Sequence, residues 1–156
     1  MRYIRQQIFS EIGNKGQQKL GKSSVAIVGL GALGSVSAEL LARAGIGRLI
    51  LIDRDVVELS NLQRQSLYDE SDVGKPKALA AEEKLNTINS EIKIEFFIED
   101  LNSKNINELI SITNTNKEKN NKKNIRNNKN TIDLILDCTD NLETRFLIND
   151  FSVKNK

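Results

Sequence analysis

The chain has no histidine and only one cysteine, Cys138, among its 156 residues, and aromatic residues make up just 4%. Each shortage excludes a class of chemistry. Without histidine there is no imidazole general base, and a Cys/His zinc site cannot be built from this chain alone. One cysteine cannot close an internal disulfide, so the cytoplasm is the expected compartment. The start, MRYIRQQIF, lacks the long apolar run of a signal peptide, and Glu39 interrupts the longest apolar stretch. No membrane span or membrane partner is therefore expected.

What is present describes an ordinary soluble protein, with 38% hydrophobic and 28% charged residues, of a size that suits one domain. The net charge of +2 is unevenly spread: Lys117 to Asn130 carries six basic residues and one acid, which leaves the rest of the chain at −3. That mildly acidic body offers no general nucleic-acid surface. The tract around it, residues 113–131, is asparagine and lysine with almost nothing apolar, and reads as a disordered surface insertion. The competing reading, a basic arm for RNA or another polyanion, lacks the interleaved aromatics that would stack bases.

The apolar pattern alternates strands with helices. Residues 2–21 read as an amphipathic helix broken near Gly13 to Gly16, followed by a strand at Val25–Val28 and a helix at Ala32–Ala44 that stops at Gly45 and Gly47. The continuous apolar run Arg48–Ile52 predicts a strand buried on both faces. A loop covers Asp53 to Gly74, and Pro76 opens a helix to about Ile88. Ile92–Ile98 alternates apolar and charged residues, as a strand nearer an edge does. Ser103–Ile112 reads as a short helix, Ile132–Cys138 as a fourth buried strand, and Asn141–Val153 as a final helix. Such alternation implies right-handed crossovers and a parallel sheet. The expected fold is α/β, a Rossmann-like doubly wound parallel sheet of order 3-2-1-4.

Gly29, Gly31 and Gly34 stand at G-x-G-x-x-G spacing between the first strand and its helix. The first permits the tight turn, the second lets backbone approach a phosphate, and the third allows close helix–strand packing. The helix that follows directs its N-terminal N–H groups at the anion. Asp53, 19 residues after Gly34, ends the second strand, where a carboxylate can accept bonds from ribose hydroxyls.

Five segments in order carry a family resemblance: RYIRQ (Arg2–Gln6), GLGALG (Gly29–Gly34), DRDVVELSNLQRQ (Asp53–Gln65), VGKPKA (Val73–Ala78) and DCTDN (Asp137–Asn141). The chain resembles the ThiF/MoeB/HesA family, relatives of ubiquitin-activating enzymes, over nearly its whole length except the Asn/Lys insertion. The resemblance implies an adenylyltransferase that uses ATP and Mg2+ to adenylate the C-terminal glycine carboxylate of a ubiquitin-like sulfur-carrier protein ending in Gly-Gly. It implies that Asp53 grips the ribose, that Asn61, Arg64 and Lys77 surround the phosphates, and that Asp140 holds the magnesium. Arg5 would reach into the neighbouring subunit of a homodimer. Arg5, Arg64, Lys77 and Asp140 are thus the implied catalytic set. The implied nucleotide set is Gly29, Gly31, Ala32, Gly34, Asp53, Asp55, Ser60, Asn61, Arg64, Lys77, Asp140 and Asn141.

Residue chemistry agrees with that assignment. Arg64 and Arg5 offer permanently charged donor forks and Lys77 a point charge, as a triphosphate needs. A C-terminal carboxylate, with a reference pKa of about 3.3–3.7, is already ionised at neutral pH, so adenylation needs no general base. Each residue also has a plainer role: Arg5 and Arg64 as surface charges, Lys77 on an exposed helix face, and Asp140 as the cap of the final helix. Cys138, at the end of an apolar strand, reads as an inert thiol.

Three features depart from the family pattern. Ala32 replaces a glycine common in the turn, the Asn/Lys insertion lengthens a surface connection, and the chain ends at Lys156 where family members continue for about as much again. The expectation is a nucleotide-binding domain over residues 1–156 that is incomplete relative to the family. Three alternatives stand beside the adenylyltransferase: an NAD-dependent oxidoreductase, since Asp53 suits the NAD ribose equally; a non-catalytic or split subunit; and a dehydratase of the same superfamily acting on a modified tRNA base.

Overall fold

The computed structural model describes residues 2–110 and 132–155. The Asn/Lys tract expected over residues 113–131 lies outside them. Four parallel strands form one sheet in the order β3-β2-β1-β4, as the sequence pattern predicts. They are β1 (Ser24–Val28), β2 (Arg48–Ile52), β3 (Lys93–Phe97) and β4 (Leu134–Asp137). Register is continuous across the sheet: Val28 lies beside Ile52 and Asp137, and Ile52 beside Phe97, so these carboxyl ends share one rim.

Every residue of β1 and β2 is buried, because helices cover both faces of the sheet. On one face Val25, Ile27, Leu49 and Leu51 pack with Ala38 and Ala42 of α3 (Ala32–Ala44) and Ala81 and Leu85 of α4 (Lys77–Ile88). On the other, Ala26, Val28, Ile50 and Ile52 meet Ile106 and Leu109 of α5 (Ile106–Ile110) and Ile148 of α6 (Leu142–Lys154). Burying each large aliphatic contributes roughly 1.5–3 kcal/mol, so the central strands anchor the fold. The outer strands β3 and β4 stay partly open, in keeping with the mixed pattern of Lys93–Phe97.

The N-terminal helix differs from expectation. It is two pieces, α1 (Ile4–Gln7) and α2 (Gly13–Leu20), and the break lies at residues 8–12, with Gly16 inside α2. The Gly16 Cβ position meets only its own helix neighbour Ile12, so glycine there is tolerated and does not end the helix. The fourth strand, expected to be buried, is shorter than the run that predicts it and opens on the exposed Leu134, and the helix expected from Ser103 starts at Ile106. Among the described residues, no helix is long and apolar enough to cross a membrane.

Candidate functional site

A groove of about 620 Å³ runs along the carboxyl rim of the sheet, where the doubly wound topology leaves a crevice. The glycine turn between β1 and α3 makes its floor. Gly29 has φ +87°, and a Cβ there would lie 2.8 Å from the Cys138 carbonyl oxygen, so only glycine fits. A Cβ on Gly34 would overlap the Gly29 carbonyl oxygen, which is what brings α3 down onto the turn. Gly31 differs: its nearest neighbour would be Gln65 Nε2 at 3.9 Å, and the space above it opens into the groove. Gly31 therefore leaves room for a ligand at the N-terminus of α3.

Asp53 links this floor to the second strand. Its Oδ2 accepts from the Leu30 N–H at 2.6 Å and its Oδ1 from the Asp55 N–H at 2.7 Å. Each oxygen keeps a lone pair for a further donor such as a hydroxyl. Burial pushes the Asp53 carboxyl up from its ordinary value, and the two N–H bonds and Lys77 only partly offset that. Tyr68 braces the turn from below, donating its hydroxyl to the Leu30 carbonyl at 3.0 Å. Burial raises the Tyr68 pKa and keeps it a donor.

The loop after β2 places the polar groups. Glu58 and Asn61 form a reciprocal capping box around a 3-10 turn at Leu59–Asn61, which buries Asn61 beside the groove. Arg64 lies exposed one turn on, with Nη1 donating to the Ser60 carbonyl at 3.2 Å. Lys77, the first residue of α4, is buried, and its Nζ sits 3.2 Å from Asp55 Oδ2. This corrects its placement on an exposed helix face. From the far side of the groove, α6 is capped by Asn141, whose side chain accepts from the Thr144 N–H at 2.8 Å. Asp140 is therefore not the cap. It is exposed and has no hydrogen-bond or ion-pair partner among the described residues. Asp137 holds the preceding loop by accepting from the Thr139 N–H and hydroxyl and from Arg145 Nε at 3.1 Å. Burial pushes Asp137 up, yet these donors hold it below the usual carboxylate range.

The groove brings together Gly29, Gly31, Ala32, Asp53, Asp55, Asn61, Arg64, Lys77, Asp140 and Asn141. Three residues named from the sequence lie elsewhere. Gly34 packs beneath the turn, and Ser60 turns its hydroxyl to Glu58 at 3.0 Å. Arg5 lies outside the groove, on α1. Its neighbour Gln6 donates to the Ala44 carbonyl, at the end of α3 remote from the glycine turn. The sequence reading missed Arg54, Gln65, Asp100 and Thr139, which also line the groove. Gln65 and Arg54 stood in plain view inside DRDVVELSNLQRQ, and Thr139 inside DCTDN; nothing local marks Asp100. Gln65 is 3% exposed, and its Oε1 has no partner among the described residues. Cys138 lies under the turn, and burial raises its thiol pKa, which favours the unreactive protonated form.

Among the described residues no group of three or more His, Cys, Asp or Glu could hold a metal ion. Magnesium needs no such group, since one or two carboxylates with phosphate oxygens and water complete its shell. Asp140, uncommitted at the groove's edge, fits that requirement.

The model of the ThiF family matches residues 3–156. The sulfur carrier protein ThiS adenylyltransferase of Bacillus subtilis is 44% identical over 155 residues, 98% of this chain and 40% of that protein. The adenylyltransferase and sulfurtransferase MOCS3 of Danio rerio is 41% identical over 153 residues, 98% of this chain and 29% of that protein. The crystal structure of Escherichia coli tRNA N6-threonylcarbamoyladenosine dehydratase in complex with ATP superposes with TM-score 0.79 at 25% identity, over 97% of this chain and 56% of that one. The chain thus spans less than half the length of both curated relatives.

Proposed function

Because the chain belongs to the ThiF family, we propose that it is the nucleotide-binding part of an enzyme that adenylates the C-terminal glycine carboxylate of a ubiquitin-like sulfur carrier. The observation that carries this reading is the buried ammonium of Lys77 in a groove that also holds Asn61, Arg64 and Asp140. A dinucleotide site needs the glycine turn and Asp53 but has no use for that cluster. The sulfur-carrier adenylyltransferases, at up to 44% identity, favour this substrate over the modified tRNA of the dehydratase, at 25%.

In this reading the triphosphate lies over Gly31 and the N-terminus of α3, and Asp53 accepts from the ribose. Lys77 exchanges Asp55 for a phosphate oxygen, and Arg64 swings from the Ser60 carbonyl to the phosphates, with Asn61 beside it. The carrier's terminal carboxylate, already an anion, forms its bond to the α-phosphorus as the bond to pyrophosphate breaks. No proton moves, so a chain without histidine suffices. The residues work by in-line positioning and by fixed positive charge where negative charge develops. Asp140 would hold Mg2+, which offsets phosphate charge when bound. Arg5, which lies outside its own groove, would act in the site of a second copy, as the family resemblance implies. Thiamine or molybdopterin synthesis in the cytoplasm is the setting this reading implies; the relatives' names support the sulfur-carrier and adenylyltransferase parts of it.

The test is ATP–pyrophosphate exchange with a carrier ending in Gly-Gly, run with and without a polypeptide supplying the remainder of the B. subtilis relative. Exchange that requires the carrier's last glycine is expected. Its absence in both conditions would overturn the proposal.

A further inference from the structure

We infer that Arg2, Tyr3 and Gln6, together with the buried amide of Asn89, are positioning residues that aim Arg5 away from its own chain, so that the RYIRQ segment divides into one residue that acts and three that direct it. This rests on the proposed action of Arg5 in the site of a second copy and adds the device that holds Arg5 in the required direction.

α1 cannot hold itself in place. It has four residues, none of them buried, and so short a helix is not stable in water alone. Side chains on one side of it fix its position. Gln6 Nε2 donates to the Ala44 carbonyl at 3.0 Å and to Gln17 Oε1 at 2.6 Å, and the buried Gln17 donates to the same carbonyl at 3.0 Å. Tyr3, three residues before Gln6, lays its ring on Gly45, where a Cβ would stand 2.5 Å from Tyr3 Cζ. Arg2 Nη1 donates to the Ile88 carbonyl at 3.0 Å, and its Nε lies 3.5 Å from Glu91 Oε1. Tyr3 and Gln6 thus share the side that meets the body, and Arg5, between them in the chain, turns to the other. Arg5 is exposed, with no hydrogen-bond or ion-pair partner among the described residues.

Asn89 is the centre of this attachment. It is fully buried where α4 ends. Its Nδ2 donates to the Tyr3 hydroxyl oxygen at 2.8 Å and to the Ala42 carbonyl at 2.7 Å, and its Oδ1 accepts from the Glu91 N–H at 3.1 Å. Both amide hydrogens are used, and a side chain at this depth is costly to leave unpaired, so the bond pins Tyr3 at the start of α1. α3 and α4 both begin at the groove, with Ala32 and Lys77. Their far ends, at Ala42, Ala44, Ile88 and Asn89, carry the attachment of α1. The two helices that place groove residues of one copy therefore also set the direction of the arginine it offers to another.

Mixed pairs of chains test this by carrier-dependent ATP–pyrophosphate exchange, each chain completed with the remainder of the B. subtilis relative. Arg5→Ala and Lys77→Met chains, each inactive alone, should together restore exchange, because one site then has Lys77 from one chain and Arg5 from the other. Adding Tyr3→Phe to the Lys77→Met chain, which supplies Arg5, should lower the restored kcat about fivefold, with the KM for ATP within about twofold. Gln6→Ala in that chain should act likewise. Either change in the Arg5→Ala chain, whose own site is the working one, should leave the restored rate within about twofold. Equal losses whichever chain carries the change, or no loss in either, would overturn the inference and leave the action of Arg5 in a second copy standing. Mixed chains that restore nothing would overturn both.

Discussion

At the scale of single residues, the site depends on which polar groups are already engaged and which are not. Asp53, Asn61 and Asn141 each hold a piece of backbone in place, while Asp140 holds nothing among the described residues. A substitution at Asp140 therefore separates chemistry from folding. Asp140→Asn should leave the thermal midpoint within about 1–2 °C of wild type, as exposed substitutions do, and lower magnesium-dependent exchange by a factor on the order of 10². Scanning calorimetry and the exchange assay measure the two effects. The sequence reading offers Asp140 as the cap of the final helix, because aspartate favours that position. The backbone path of α6 gives the cap to Asn141 instead. The contact of Arg54 with Asp100 was illegible for another reason: they are 46 residues apart and meet because β2 and β3 pair.

At the scale of elements, the glycine turn and the loop before α4 do different work. Gly34 is a packing residue, whereas Gly31 faces the open groove. Gly34→Ala should cost about 3 kcal/mol, since the added methyl meets backbone that cannot yield, and lower the midpoint by roughly 10 °C. Gly31→Ala should leave stability nearly unchanged and weaken ATP binding. Urea unfolding paired with titration separates the two, and equal stability losses would contradict the assignment. The loop before α4 is built on acids. Asp72 is 1% exposed; burial pushes it up, but the Asp69 N–H, Lys75 and Lys84 outweigh this and hold it below the ordinary value. Asp69 is held down to about 2 by Lys84 and Ser71. Both carboxylates stay ionised in the folded state where the unfolded chain would take up protons. Their contribution is present above the ordinary aspartate value near 4 and is lost as pH falls from there towards 2. The urea midpoint should drop across that window, and Asp72→Asn should flatten the drop.

The elements were legible where burial is two-sided. The apolar runs of β1 and β2 announce themselves, and the 3-10 loops do not, because capping boxes such as Glu58–Asn61 form from residues common in any loop. Arg48 shows the limit of pattern reading. It opens a fully buried strand as a charged residue, and it is accommodated by the two-pronged pair it makes with Glu95 on the neighbouring strand.

At the scale of the whole molecule, the fold places the groove at one rim of the sheet and α1, with Arg5, at the opposite end of α3. Lys77 and Arg64 thus place two cations on one side of a groove that is otherwise lined by acids such as Asp53, Asp55 and Asp140. Two cations beside an uncommitted carboxylate suit a ligand with several phosphate charges and a metal ion better than the single pyrophosphate of a dinucleotide. Titration of the protein with ATP and with NAD, side by side in magnesium buffer, measures that preference directly. ATP should bind with NAD at least tenfold weaker, and Lys77→Met should abolish the difference. Tight NAD binding with no heat from ATP would contradict the account.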